Sequence, residues 1–286
     1  MPNLFSVPGD PVAGFLLASG GVLAWKAAEA AAVSLLLYAA GLLLNDYFDR
    51  KVDARERPER PIPSGGVSEV LVIWVGFDLL IAGVALGILR GGWQAAVAAP
   101  ALALAMVAYN VGLKKLPWVG PIAMGSCRAG SVLVGAAFAG NVAAAPVLVA
   151  AAVMWVYIGV VTHLAVGEAR RKRLGASAFV PALVLAGGGC AMAPFLATGS
   201  RAWWFALAVL GVAVAAALAA ALDVRGGRKP VPAFIGELIR ATIPAQGAWC
   251  LWRMPKAAPG GAIALVAACF ALAVGARLAA RRFYGS

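Results

Sequence analysis

Asn45, Asp46, Asp49 and Asp53 close an apolar run, in the stretch Asn45-Asp46-Tyr47-Phe48-Asp49-Arg50-Lys51-Val52-Asp53. On a helix Asn45, Asp49 and Asp53 fall at i, i+4 and i+8, and Asp46 lies one residue round the same face. Four oxygen-bearing side chains on one stripe repel one another unless a hard cation sits among them. Mg²⁺ takes oxygen ligands, keeps several waters and normally bridges one or two carboxylates to a phosphate. The spacing therefore predicts a Mg²⁺ site serving a diphosphate, with Asn45, Asp46, Asp49 and Asp53 on the metal. Arg57 and Arg60 follow closely, and guanidinium groups donate paired hydrogen bonds to phosphate oxygens. Five of the twelve acidic residues and five basic ones interleave between Asp46 and Arg60, among Pro58 and Glu59. A helix end that merely marks the water interface does not call for that concentration.

Other residues could join such a site. Tyr109, Asn110 and Lys114 end a later apolar run. They are either headgroup anchors or, beside a diphosphate, contacts to it. Arg128 lies inside an apolar run, where a charge is costly and usually faces a protein cavity; the alternative is snorkelling to the interface. His163 is the sole histidine of the chain, and reads equally as a buried structural residue or as a catalytic one. Glu168 is the one acid between Asp78 and Asp223. It is a candidate for a second carboxylate site on the metal or for a salt bridge with Arg171 or Lys172. Arg170, the first of four consecutive basic residues, is a further diphosphate candidate. Asp10 and Asp78 are weaker candidates, and Asp78 is expected to pair within a helix bundle.

The elements that must carry these residues are membrane helices. The mean hydropathy is +0.88 and 63% of residues are hydrophobic, which places the chain among all-α polytopic membrane proteins. A hydrocarbon core of ~30 Å needs about 20 apolar residues per crossing. The predicted spans are 9–25, 27–45, 67–89, 93–110, 119–139, 145–166, 178–197, 202–222 and 260–280. The segment 232–253 carries Glu237, Arg240 and Gln246 among apolar residues, so it lies in the interface, re-enters or crosses. The count is nine, or ten if it crosses, in a single domain covering 1–286.

The formal net charge of +12 does not point to nucleic acid, because the basic residues alternate from loop to loop. Arg50 to Arg60, Lys114–Lys115, Arg170–Arg173 and Arg225–Lys229 fall on one set of loops; Lys26, Arg90 and Arg201 fall on the other. This positive-inside pattern predicts a cytoplasmic N-terminus and a cytoplasmic Asp-rich loop in a bacterial or archaeal cytoplasmic membrane. No charged n-region of a signal peptide is read in residues 1–9. The four cysteines have neither metal nor disulfide spacing and read as small buried residues.

At these residues the chain resembles the UbiA superfamily of intramembrane prenyltransferases. The resemblance is most specific at Asn45-Asp46-x-x-Asp49-x-x-x-Asp53 followed by Arg60-Pro61-Ile62-Pro63-Ser64-Gly65, and Tyr109 and Lys114 fall where the family has a Tyr and a phosphate-binding Lys. Pro117-Trp118-Val119-Gly120-Pro121-Ile122-Ala123-Met124-Gly125-Ser126-Cys127-Arg128 and Gly167-Glu168 resemble its EboC-like branch, which implies a small polar, cyclitol-type acceptor. The resemblance implies a bundle round a central cavity open to the cytoplasmic side and lipid, Mg²⁺, an isoprenyl diphosphate donor and a small aromatic or polar acceptor. It says nothing of the oligomeric state. In one respect the chain departs from the family: where most members carry a second Asp-rich motif, it offers Glu168 and then Arg170-Arg171-Lys172-Arg173. Two rival readings remain at this point. A CDP-alcohol phosphotransferase also uses Mg²⁺ and aspartates, but the Asp-Gly-x-x-Ala-Arg lead-in is missing. A transporter would place its charges nearer mid-span.

Overall fold

The computed structural model describes residues 2–166, 174–198 and 202–254, together with 267–268, 271–276 and 278. All regular structure among them is helical. The helices are α1 (Gly9–Ala18), α2 (Trp25–Glu56), α3 (Glu69–Arg90), α4 (Gly92–Val111), α5 (Val119–Phe138), α6 (Ala145–Val166), α7 (Val180–Met192), α8 (Ala202–Arg225) and α9 (Val231–Trp252). Short 3-10 turns precede α1 and flank α7, and another follows α4 at Leu113–Lys115. Seven segments are long and apolar enough to cross a membrane: α2 to α6, α8, and α7 extended by its flanking turns.

The longest helix positions the acidic cluster. α2 has 32 residues, about 48 Å at 1.5 Å per residue, so it outruns a hydrocarbon core of ~30 Å. The apolar part ends near Leu44, and the overhang carries Asn45 to Glu56. α3 returns along α2 on a row of small residues. A Cβ on Gly76 would meet Leu44 at 3.2 Å, one on Gly83 would meet Leu37 at 2.9 Å, and one on Gly87 would meet Ala99 of α4 at 2.5 Å. This close approach is a common way to gain van der Waals contact in lipid, where apolar side chains have no hydrophobic drive to associate.

Two expectations about crossings change. The segment 9–25 is not one span. α1 has ten residues, about 15 Å, and stops at Gly20 and Gly21, whose φ values of 72° and 88° lie in the left-handed region that glycine tolerates. Gly9 abuts Gln246, and Arg253 donates to the Leu17 carbonyl at 3.2 Å; α1 thus runs beside the second half of α9, and it packs on α5 as well, where Gly14 abuts the Val132 backbone. The segment 232–253, by contrast, is a single helix of 22 residues with fourteen buried, about 33 Å long. Its polar groups are paired with groups outside the helix. Glu237 accepts from Lys229 at 2.5 Å and Gln246 donates to Asp10 at 2.5 Å. Tyr157 of α6 donates to the Leu238 carbonyl and the Trp252 indole donates to the Met192 carbonyl, each at 2.8 Å. Most of the candidate span 260–280 lies outside the described residues.

The same cluster accounts for Arg128. Its Nε lies 2.9 Å from Asp10 Oδ2, its Nη2 donates to the Ser6 carbonyl at 3.1 Å, and Gln246 donates to Ser6 at 2.9 Å. Asp10 is 0% and Arg128 8% exposed. This ion pair ties α1, α5 and α9 together inside the protein, where removing one partner strands the other charge. Arg128→Met is expected to cost about 3–5 kcal/mol, read as a fall in the thermal unfolding midpoint in detergent. The double change Asp10→Leu, Arg128→Met is expected to recover most of it. Weakened donor binding with an unchanged midpoint would instead return Arg128 to the diphosphate.

Candidate functional site

The acidic face of α2 meets cations from two other elements. After α4 the chain turns through Leu113–Lys115, which brings Lys114 Nζ to 2.7 Å from Asp49 Oδ1 and 2.8 Å from Asn45 Oδ1. One ammonium thus bridges positions i and i+4 of the acidic stripe. From the other side comes the loop after α2. The Arg57 amide caps α2 on the Asp53 carbonyl at 2.7 Å, then Arg60 N bonds the Arg57 carbonyl at 3.1 Å and Ser64 N the Arg60 carbonyl at 2.9 Å. Gly65, at φ 75°, completes the turn. Folded back in this way, Arg60 Nη1 lies 2.9 Å from Asp53 Oδ2 and 3.5 Å from Asp46 Oδ1. Asp53 is buried, and Asp46, Asp49, Arg60 and Lys114 are half-buried.

Five of the sequence-derived residues, Asp46, Asp49, Asp53, Arg60 and Lys114, therefore stand in a network of two ion-pair groups along one end of α2: Arg60 with Asp46 and Asp53, and Lys114 with Asp49 and Asn45. Tyr109 is half-buried on the last turn of α4, within electrostatic reach of Asp49. Arg57 is exposed beside the network. Asn110 is 4% exposed and its amide donates to the Gly41 carbonyl at 3.1 Å, so it holds α4 against α2. Arg50, which the sequence did not single out, fixes the rim: it donates to Glu69 at 2.7 Å and to the Tyr47 carbonyl at 2.8 Å, with its guanidinium 4.0 Å from the Tyr47 ring centroid. His163 is half-buried and stacks on Trp118 at 4.9 Å between ring centroids. Trp118 opens α5 just after Lys114, which puts His163 at the same end of the bundle. Of the aromatic residues, Trp74 is 65% exposed and Trp155 40% exposed. Trp155 donates to the Ile122 carbonyl at 3.2 Å. Glu168 and Arg170–Arg173 lie outside the described residues.

The donor set suits a hard divalent ion. Asn45, Asp46, Asp49 and Asp53 offer oxygen only, along one helix face, as Mg²⁺ requires. Among the described residues no three His, Cys, Asp or Glu side chains form a ready-made cage. Each carboxylate that would hold such an ion lies beside Lys114 or Arg60, cations of the kind that bind phosphate oxygens.

A model of the "UbiA prenyltransferase family" matches residues 11–235. Among curated proteins, the chain is 36% identical over 129 residues to a digeranylgeranylglyceryl phosphate synthase of Methanoregula boonei, covering 45% of this chain and 46% of that one. It is 32% identical over 138 residues to the synthase of the same name from Thermococcus kodakarensis, covering 48% and 50%. A chloroplastic chlorophyll synthase of Oryza sativa subsp. japonica is 38% identical over 96 residues, or 30% of this chain and 26% of that one. The chain thus spans about half the length of the first two relatives. A solved structure from work on digeranylgeranylglyceryl phosphate synthase in membranes superposes with a TM-score of 0.60 at 18% identity, over 87% of this chain and 93% of that one. That likeness is one of fold. These relatives speak to the family and not to the EboC-like branch.

Proposed function

Because the chain belongs to the UbiA prenyltransferase family, we propose that it moves an isoprenyl group from its diphosphate to a small acceptor inside the membrane. One observation carries the reading: Lys114 and Arg60 converge on Asn45, Asp46, Asp49 and Asp53 at the end of a membrane helix. In the reaction the allylic C–O bond breaks with its electron pair going to the diphosphate. A nucleophilic atom of the acceptor then forms the new bond to carbon and loses its proton. Lys114, Arg60 and the free-standing Arg57 stabilise the negative charge developing on the diphosphate, while Tyr109 presents an aromatic face to the carbocation. Mg²⁺ held by Asn45, Asp46, Asp49 and Asp53 would neutralise further charge on the leaving group. The apolar bundle keeps water from the cation. Glu168 is proposed as an additional metal ligand, Arg170 as a diphosphate contact, and His163, beside Trp118, as the group that orients or deprotonates the acceptor.

The donor enters from the cytoplasmic leaflet in this reading, because the acidic end of α2 lies on the Arg- and Lys-rich side of the membrane. The relatives' names suggest a hydroxyl-bearing acceptor of the glyceryl phosphate kind, and the resemblance to the EboC-like branch suggests a cyclitol-type one. Both are small and polar. The test is a mass spectrum of lipids from cells expressing the protein with isoprenyl diphosphates of several lengths. A new prenylated species that disappears in the Asp49→Ala variant supports the proposal. Identical lipids with wild type and variant would contradict it.

A further inference from the structure

The place of Lys114 depends on a residue that has no side chain. The turn Leu113–Lys115 lies against the first turn of α5, where Gly120 is buried and its amide donates to the Leu116 carbonyl at 2.9 Å. A Cβ on Gly120 would stand 3.0 Å from the Lys114 carbonyl oxygen, 3.3 Å from Lys114 Cα and 3.4 Å from the Leu113 carbonyl oxygen. All three are backbone atoms, so no side-chain rotation relieves the contact. With a side chain at 120, either α5 or the turn must move by a few tenths of an ångström.

Of the two, α5 is the element held in place. Trp118, which opens it, stacks on His163 of α6. Further along, a Cβ on Gly125 would strike the Trp155 carbonyl of α6, and one on Gly159 of α6 would meet the Pro121 carbonyl oxygen at 3.4 Å. The turn has room to move: Lys115 and Leu116 are exposed, and a Cβ on Gly112 would meet nothing within 4 Å. Yet the Lys114 ammonium must reach Asp49 at 2.7 Å and Asn45 at 2.8 Å together. We propose that Gly120 is a positioning residue for Lys114: its bare Cα lets the turn settle against α5, and this sets the ammonium over the acidic face of α2. A side chain at 120 pushes the Lys114 backbone off α5 and parts the ammonium from at least one of its two partners. The bearing of this on catalysis rests on the diphosphate reading of Lys114.

Gly120→Ala and Gly120→Val test this in the full chain, purified into lipid nanodiscs without donor. Lys114 is acylated with a soluble amine reagent and counted by mass spectrometry, the exposed Lys115 serving as internal reference. The Lys114-to-Lys115 labelling ratio is expected to rise about threefold in Gly120→Ala, on the scale of one broken ion pair, and further in Gly120→Val. Prenyl transfer is expected to fall roughly tenfold in Gly120→Ala and roughly hundredfold in Gly120→Val, the scale of loss when a group at the reacting centre is misplaced. Alanine favours helix over glycine, so the unfolding midpoint of Gly120→Ala is expected to hold. Gly112→Ala, the same change in the open space on that turn, is expected to leave ratio and turnover at their wild-type values. An unchanged labelling ratio in both Gly120 variants would overturn the proposal. So would equal shifts from Gly112→Ala and Gly120→Ala, or wild-type turnover in both Gly120 variants where Asp49→Ala is inactive. If Asp49→Ala also turns over at the wild-type rate, the diphosphate reading fails instead, and the labelling ratio alone decides whether Gly120 places Lys114.

Discussion

Asp49→Ala and Asp53→Ala are each expected to lower prenyl transfer by at least about a hundredfold, the loss seen when a stabiliser of transition-state charge is removed. The two changes act on different arms of the network. Asp49 is the carboxylate that holds Lys114, and Asp53 the one that holds Arg60 at 2.9 Å. Either loss removes a proposed metal ligand and releases a cation from its place on the α2 face. Membrane insertion should survive, because the overhang of α2 lies past its apolar run. Detergent-extracted yield and the unfolding midpoint check that point. Turnover of both variants at the wild-type rate, with EDTA present, would contradict the diphosphate assignment.

Lys114→Met is expected to separate two quantities that move together in most site variants. The ammonium reaches both Asn45 and Asp49, so it competes with any cation for those oxygens until a diphosphate draws it away. Its removal should tighten binding of Mn²⁺ in the absence of donor, measured by electron paramagnetic resonance. It should also weaken donor binding and lower turnover by about a hundredfold to a thousandfold, as one fewer positive group meets the leaving diphosphate. If Lys114 only clamped α4 to α2, donor affinity would not change while metal affinity rose. If it touched neither, both would stay at the wild-type value.

The parts of the site legible in the sequence were those set by local spacing. Asn45, Asp49 and Asp53 lie on one helical face because the helix repeat puts them there, and Pro58, Pro61 and Pro63, which cannot continue a helix, mark where the chain turns to fold Arg60 back. Lys114 was legible as the charge that ends an apolar run. Long-range pairing was not legible. Arg128 and Asp10 are far apart in sequence, and nothing near either residue announces that α1 and α5 meet. The segment 232–253 stayed open for the same reason, since Gln246 in its middle is hydrogen-bonded by Ser6 and Asp10 from the far end of the chain. The half-length of α1 did have a signal, the Ser19-Gly20-Gly21 stop, which hydropathy alone passes over. Asp78, expected to pair within the bundle, is instead exposed and pairs with none of the described residues, and that had a signal too: Gly76, Gly83 and Gly87 mark the packed face of α3, and Asp78 lies off it.

The central claim is that α2, Lys114 and Arg60 form a metal-dependent diphosphate site. Its most direct test is binding of an isoprenyl diphosphate to the purified protein in lipid nanodiscs, with Mg²⁺ and with EDTA. The expected result is at least about tenfold tighter binding with Mg²⁺, each tenfold being about 1.4 kcal/mol, with the difference lost in Asp49→Ala. Equal affinity in Mg²⁺ and EDTA, unchanged by Asp49→Ala, would contradict the account.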